Sequence, residues 1–152
     1  LETTCLRYFN VFGPRQDPSS PYSGVISIFI DRIGAGEPIT IYGDGTQTRD
    51  FIYVGDVVRA NIRAMHSDYC GVVNVAGGRE TSLNVLAAVI MEVTGNSCDI
   101  RYDVPREGDI HRSLADTQRL EETIGRVAEY SIADGLSQTI AWSLAAKNEP
   151  SV

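Results

Sequence analysis

The side chains of this sequence that are best suited to chemistry are arginines and carboxylates next to short apolar runs. Arg49 opens the strand-like run DFIYV, and Arg106 stands in the polar segment PREGDIHRSLAD at residues 105–116. A guanidinium is a planar fork that can hold two oxygens of a diphosphate at once. Arg49 could equally form an ion pair with Asp50, Asp56 or another acid, and the residues alone leave that choice open.

Asp109 and Asn10 supply hydrogen-bonding groups of the kind that sugar ligands need. Asp109 shares a predicted loop with Arg106, and its carboxylate could accept hydrogen bonds from sugar hydroxyls. A solvated loop of mixed charge is the alternative interpretation. Asn10 follows the end of a predicted strand, the position where open α/β sheets bind their ligands. It could instead close a turn through its own backbone.

The stretch GDG at residues 43–45 is rich in glycine but does not fit a phosphate-binding loop. A dinucleotide fingerprint places G-x-G-x-x-G between a strand and a helix, so that the helix N-terminus meets the pyrophosphate. Here TQT and then a second strand-like run follow the glycines, and the sequence contains no Walker A pattern. We therefore predict a hairpin-like turn between two strands.

Charge and cysteine content argue against several other classes of protein. A net charge of −7 argues against nucleic-acid binding, which requires a basic surface. The cysteines Cys5, Cys70 and Cys98 are widely spaced, and the histidines are His66 and His111, so we expect no metal site. Reduced thiols are typical of a cytoplasmic protein. No apolar run approaches the roughly 18 residues of a membrane helix.

Apolar patterns of strand and helix type alternate along the chain, which predicts an α/β fold. Strands are predicted at residues 4–9, from Ile39, from Asp50, at 72–76 and at 99–104. Helices are predicted at 24–33 (ended by Gly34 and Gly36), from Asp56 to about His66, from Ser82 or Thr81 to Gly95, from Asp116 to Ile124, and from Ser131 to about Ala146.

Two further features concern the ends of these elements. Asp56, Asp116 and Ser82 or Thr81 are predicted N-caps, and Ser131 with Asp134 resembles a capping box. The proline-rich stretch FGPRQDPSSP at residues 12–21 predicts an irregular loop. A lone, buried opening strand before that loop suggests the last part of a larger sheet.

Three stretches together resemble the C-terminal half of NAD-dependent nucleotide-sugar epimerases and dehydratases of the extended short-chain dehydrogenase/reductase family. They are RYFNVFGPRQ (7–16), GDGTQTRDFIYVGDVVRAN (43–61) and PREGDIHRSLAD, in family order and spacing. The chain looks most like the UDP-N-acetylglucosamine and UDP-glucose 4-epimerases. The resemblance implies a small mixed α/β substrate-binding domain at 13–152, and at 1–12 a remnant, including a terminal strand, of an otherwise missing Rossmann cofactor domain.

The resemblance also implies roles for individual side chains in binding a UDP-sugar. Arg49 and Arg106 would grip the diphosphate, Asp109 would hold the nucleoside ribose, and Asn10 would contact the nucleotide sugar near its diphosphate. Other implied contacts are the backbone of Gly24 and Val25, the strand Thr40, Ile41 and Tyr42 along the uracil, Ser113 against the sugar, and Phe9 beside the nicotinamide of NAD. A side chain as small as Ser113 leaves room for an N-acetyl group, so we expect UDP-N-acetylhexosamines to be tolerated.

The catalytic pair and the cofactor motif of that family do not occur in this sequence. The family uses Tyr-x-x-x-Lys, whereas the single lysine here is Lys147 and the residue four positions before it is Ser143. Because the glycine fingerprint for NAD is also absent, we expect catalysis to require an N-terminal cofactor domain. By itself the chain should not turn over substrate, should bind UDP-sugars weakly and should not hold NAD tightly.

Alternatives to an epimerase, and the state of association, remain open at this level. The chain could come from another dehydratase or decarboxylase of the same family. It could also be a stand-alone, non-catalytic module that binds sugar nucleotides or associates with a partner. We further expect self-association, since the strand around Leu6 to Phe9 has lost its sheet neighbours and exposed strand edges tend to pair.

Overall fold

The computed structural model describes residues 2–16 and 24–148, without the side chains of Lys147 and Asn148. Residues 17–21 of the predicted irregular loop lie outside that part of the chain. The strands in it are β1 (Thr4–Tyr8), β2 (Asn10–Phe12), β3 (Ile39–Tyr42), β4 (Thr48–Tyr53), β5 (Gly71–Val75), β6 (Glu80–Ser82) and β7 (Ile100–Asp103). The helices are α1 (Val25–Gly34), α2 (Val54–Met65), α3 (Leu83–Thr94), α4 (Gln118–Ile124) and α5 (Ile132–Asn148). The predicted α/β class is therefore confirmed.

The strands form three small sheets with mainly parallel pairing. β1 lies parallel to β5, and β3 lies parallel to β7. β4 is the centre of the third sheet, with β2 parallel on one side and β6 antiparallel on the other. These pairings set the carboxyl end of β3, the start of β4 and the segment after β7 beside one another.

Two apolar clusters hold these sheets and helices together. The first joins α1, α3 and α5 to β3 through buried side chains such as Ile33, Ile39 and Leu86. The second joins α2 and α4 to β4 and β5 through buried side chains such as Ile52 and Val75. Burial of apolar surface at about 25 cal/mol per Å² is the main stabilising contribution of such clusters.

The hairpin predicted at the glycine turn is wrong. β3 pairs with β7 and β4 pairs with β2 and β6, so the turn connects strands of different sheets. The turn itself is stabilised locally, because the Asp44 carboxylate accepts hydrogen bonds from the backbone N–H and the hydroxyl of Thr46. These bonds lower the pKa of Asp44. Gly43 and Gly45 adopt positive φ angles of 91° and 77°, which favour glycine.

The opening strand also differs from its prediction. β1 is mostly exposed rather than buried, and of its side chains Leu6 packs against the second apolar cluster. The strand has a sheet neighbour on one side, since β5 pairs with it over its full length. No strand among the described residues pairs with the other edge of β1.

The helix-capping predictions are partly confirmed. Ser82 caps α3 by accepting the Val85 N–H, and Ser131 and Asp134 exchange the hydrogen bonds of a capping box. Asp56 is not a cap, because α2 begins two residues earlier, at Val54. Its buried carboxylate instead accepts backbone N–H groups from the distant residues 129–130.

The remaining differences from the predicted elements are small. Helix α4 begins at Gln118, so its N-cap position falls on Thr117 rather than Asp116. The Asp116 carboxylate nevertheless accepts the Gln118 N–H at 2.9 Å. The short strands β2 and β6 were not predicted. None of the helices in the described residues is long and apolar enough to cross a membrane.

Candidate functional site

The predicted substrate-binding side chains converge on one large cavity of about 870 Å³. Nine of the ten line it: Asn10, Gly24, Val25, Thr40, Ile41, Tyr42, Arg49, Arg106 and Asp109. They come from β2, the start of α1, β3, the start of β4 and the segment that follows β7. Residues that are more than 90 positions apart in the sequence thus face the same space. Their roles in binding remain predictions.

The alternation of side chains along β3 directs two of these residues into the cavity. Successive strand residues point to opposite faces, and Ile39 and Ile41 are buried in the first apolar cluster. Thr40 and Tyr42 therefore lie on the other face, where Thr40 is exposed and Tyr42 half-buried. An aromatic ring there offers a surface on which a flat ligand group can stack.

Arg49 connects the start of β4 to the segment after β7. Its guanidinium forms an ion pair with Asp109 and donates hydrogen bonds to the backbone carbonyls of Thr48 and Ile110. The side chains of Arg49 and Asp109 are 19% and 35% exposed, so water partly screens the pair. The acid partner that the sequence left open for Arg49 is thus Asp109, itself a predicted site residue.

Arg106 faces the same cavity but is held differently. Its guanidinium carbon lies over the ring of Tyr42, 4.0 Å from the ring centroid, as in a cation–π contact. The residue is exposed, and it forms no ion pair with any other residue that the structure describes. The positive charge of Arg106 is therefore available to an anionic ligand.

Backbone hydrogen bonds fix the segment that carries Asp109 along the start of β4. Thr48 donates its N–H to the His111 carbonyl at 2.9 Å, and its own carbonyl accepts the Ser113 N–H at 3.2 Å. Further along, the Ala115 N–H donates to the Asp50 carboxylate at 3.1 Å. The distance between Arg49 and Asp109 is thus set by backbone pairing as well as by their ion pair.

Asp50 supports this arrangement from inside the protein. Its side chain is fully buried and accepts backbone N–H groups from Gly77 at 2.7 Å, Gly78 at 3.2 Å and Ala115. Burial raises the pKa of the Asp50 carboxyl, and the backbone hydrogen bonds oppose that shift. The carboxylate joins three separate chain segments behind the cavity wall.

Asn10 makes a contact that the sequence did not indicate. Its amide Nδ2 donates to the Asp50 backbone carbonyl at 3.0 Å, across the β2–β4 pair. It therefore does not close a turn through its own backbone. This bond holds the carboxamide at the cavity wall.

Two predicted residues do not line the cavity. Ser113 is half-buried next to Thr48, beyond Asp109 on the same segment. Phe9 lies between β1 and β2, and its N–H donates to the Val75 carbonyl at 3.0 Å. The sugar contact of Ser113 and the nicotinamide contact of Phe9 therefore stay predictions.

Several further cavity residues were missed at the level of the sequence, among them Gln47 and Leu83. Gln47 is buried, and its Nε2 donates to the Tyr42 carbonyl. Its Oε1 is the one buried side-chain nitrogen or oxygen of the described residues without a hydrogen-bond partner. Leu83, the first residue of α3, reaches the cavity because its N–H donates to the Gln47 carbonyl at 3.2 Å. Gln47 stands inside the quoted GDGTQTRD stretch, whereas no pattern in the sequence marks Leu83.

The arrangement suits a ligand with an anionic part, hydroxyl groups and a flat ring. A free guanidinium, a carboxylate and an aromatic face lie around one space large enough for a small molecule. No group of three or more metal-binding side chains occurs in the described part of the chain. All three cysteines are free.

Comparison with known proteins defines the class. Residues 1–76 match the model of the NAD dependent epimerase/dehydratase family. The chain belongs to this family. Its relatives comprise 4-epimerases of UDP-sugars as well as proteins named as decarboxylases and reductases of sugar nucleotides.

Individual relatives agree over nearly the whole chain. A putative UDP-glucose 4-epimerase from Methanocaldococcus jannaschii is 42% identical over 142 residues, which cover 93% of this chain and 46% of the relative. The structure of UDP-glucose 4-epimerase with UDP-glucose from Thermotoga maritima matches with a TM-score of 0.92 and 40% identity, over 97% of this chain and 48% of the other.

A third match carries a different sugar nucleotide. It is UDP-N-acetylglucosamine 4-epimerase from Methanobrevibacter ruminantium M1 in complex with UDP-N-acetylmuramic acid, with a TM-score of 0.91 and 45% identity. That match covers 96% of this chain and 47% of the other. The chain thus spans about half the length of the relatives that it matches.

Proposed function

We propose that this chain is the substrate-binding portion of an NAD-dependent UDP-sugar 4-epimerase. The observation that carries the proposal is the convergence of nine predicted nucleotide-sugar residues on one cavity of about 870 Å³. The family and the UDP-sugar complexes of two structural relatives support it. Since the chain covers about half of those relatives, the reaction and its substrates are part of the proposal.

Each side chain has a proposed task that agrees with its chemistry. Arg106 and Arg49 bind the diphosphate with their guanidinium groups, and Asp109 accepts hydrogen bonds from the ribose hydroxyls. The strand Thr40–Tyr42 lines the uracil, with backbone contacts from Gly24 and Val25, while Asn10 lies near the diphosphate. Ser113 would leave space for an N-acetyl group, so UDP-N-acetylhexosamines are included among the substrates.

Cofactor binding and catalysis are proposed to lie with a separate cofactor domain. Residues 1–12, with Phe9 on the nicotinamide side, would belong to that domain, and residues 13–152 would form the substrate domain. The chain alone would then bind UDP-sugars weakly and NAD barely, without turnover. Free cysteines fit the cytoplasm as the compartment.

Calorimetric titration of the 152-residue chain tests the proposal. UDP-glucose and UDP-N-acetylglucosamine should bind, and ADP-glucose should bind more weakly because it shares the diphosphate but not the base. Arg106→Ala should weaken UDP-glucose binding roughly tenfold or more, since a charge-assisted hydrogen bond is worth about 1.5–3 kcal/mol.

Arg119→Ala is the matched control, because Arg119 is an exposed arginine of α4 that does not line the cavity. Its titration should equal that of the unaltered chain. If no sugar nucleotide binds at millimolar concentration, or if both variants bind alike, the proposed function is wrong. Micromolar binding of NAD would contradict the assignment of the cofactor to another domain.

Another reaction of the same family is the alternative within the enzyme class. The relatives named as a UDP-N-acetyl-alpha-D-glucosaminuronate decarboxylase and a dTDP-4-dehydro-6-deoxy-D-allose reductase favour it. Release of CO2 from a UDP-hexuronate by the protein together with its cofactor domain would point to a decarboxylase. An intact native protein no larger than this chain would point to a stand-alone module, whereas a longer product with a glycine fingerprint for NAD would exclude that alternative.

A further inference from the structure

The contact between Arg106 and Tyr42 lies at a boundary between two spaces. Both residues line the large cavity and also an adjoining cavity of about 670 Å³, whose wall includes Tyr102 and Pro105. The face of the Tyr42 ring that lies under the guanidinium therefore faces the two cavities and not the apolar core. The Arg106 guanidinium covers that face, 4.0 Å from the ring centroid.

We propose that Arg106 makes binding of the base depend on the diphosphate. Its guanidinium occupies the Tyr42 face on which a pyrimidine would stack, and phosphate groups draw it away from the ring. The site thereby selects nucleoside diphosphates over bare nucleosides. This inference rests on the proposed function, which assigns Tyr42 to the uracil and Arg106 to the diphosphate.

The side chain of Arg106 can move while its backbone stays in place. The Asp109 N–H donates to the Arg106 carbonyl at 3.2 Å, and Arg49 holds Asp109 by their ion pair. The guanidinium of Arg106, in contrast, is held by a single contact with the described residues, which is the contact with the Tyr42 ring. Reorientation of this side chain therefore breaks no ion pair that the structure describes.

The strengths of the competing contacts decide the direction. A cation–π contact at an exposed site corresponds to roughly a two- to fivefold effect on affinity. A charge-assisted hydrogen bond to phosphate corresponds to roughly 10- to 150-fold. A phosphate therefore displaces the guanidinium from the ring, whereas a nucleoside must compete for the ring face without that gain.

An NMR titration of the ¹⁵N-labelled chain with uridine and with UDP tests this inference. In Arg106→Ala, uridine should bind roughly two- to fivefold more tightly, while UDP should bind roughly tenfold or more weakly. The effects have opposite signs because the substitution uncovers the ring and removes the phosphate ligand. In a Tyr42→Leu background, Arg106→Ala should no longer improve uridine binding.

Arg32→Ala is the control, since Arg32 lines the same cavity but pairs with Glu37 instead of the ring. It removes the same charge and should not improve uridine binding.

Arg106→Gln serves as a second variant if the spectrum of Arg106→Ala shows a folding defect. Uridine binding that is unchanged or weaker in these Arg106 variants, with UDP still bound by the unaltered chain, overturns the inference and leaves the proposed function intact. If the unaltered chain binds neither ligand, both are refuted.

Discussion

Replacement of Arg49 by alanine should loosen the segment that carries Asp109 and destabilise the whole chain. The guanidinium makes three contacts, one to the Thr48 carbonyl and two to residues 109–110. Hydrogen bonds contribute about 0.5–1.5 kcal/mol each, and a partly exposed ion pair contributes up to about 1 kcal/mol. We expect Arg49→Ala to lower the free energy of unfolding by about 1–3 kcal/mol.

Urea unfolding followed by circular dichroism measures this loss, and hydrogen exchange locates it. The Ser113 N–H, which donates to the Thr48 carbonyl, should exchange faster in Arg49→Ala. A double-mutant cycle with Asp109→Ala should give a coupling free energy of about 1 kcal/mol.

Arg32→Ala is again the matched control. The ion pair of Arg32 with Glu37 spans 3.4 Å, and its two side chains are 51% and 60% exposed, so its loss should cost at most about 0.5 kcal/mol. If Arg49→Ala and Arg32→Ala are equally stable, Arg49 does not anchor the segment and the reasoning fails.

Three further predictions concern the rest of the chain. Gly77→Ala should lower the free energy of unfolding by about 1–3 kcal/mol in thermal melts, because an added Cβ would lie 2.5 Å from the Phe51 carbonyl oxygen. An unchanged melting temperature would contradict this close approach of Gly77 to Phe51. Burial raises the pKa of Asp50 above its ordinary value of 3.8, so the folded chain binds this proton more tightly than the unfolded chain does. The stability that Asp50 contributes is therefore fully present below pH 3.8 and is lost as the pH rises through the raised pKa. Asp50→Asn should remove that part of the pH dependence in urea unfolding, and an identical slope would argue against it. The edge of β1 that pairs with no described strand should promote self-association in sedimentation velocity, and a monodisperse monomer would count against it.

Four residues of the cavity wall, Asn10, Arg49, Arg106 and Asp109, could be proposed from the local sequence, whereas Gly24, Val25 and Thr40–Tyr42 were implied by the family resemblance. Arg106 and Asp109 follow the carboxyl end of a strand, which is where open α/β sheets bind ligands. Arg49 was singled out because a guanidinium stands directly before an apolar run. The helix caps at Ser82 and Ser131 could also be predicted, since each capping hydrogen bond joins residues three positions apart in the sequence.

The features that could not be predicted depend on distant parts of the chain. The glycine turn has the composition of a hairpin, but the parallel partner of β3 is β7, about 60 residues later. Asp56 has the sequence signal of a cap, yet its carboxylate accepts N–H groups from the loop at 129–130. Leu83 lies at the cavity because β6, which precedes it, pairs with β4, and because its N–H donates to the Gln47 carbonyl. Such pairings follow from tertiary packing and not from local propensity.

The central claim, that a UDP-sugar occupies the large cavity, is tested most directly by mapping its contacts. Backbone amide shifts of the ¹⁵N-labelled chain should be followed during titration with UDP-N-acetylglucosamine. We predict that the largest changes fall on residues 24–25, 40–42 and 106–109, which line that cavity. Changes concentrated on the β1–β5 sheet, or none at saturating ligand, would contradict the account.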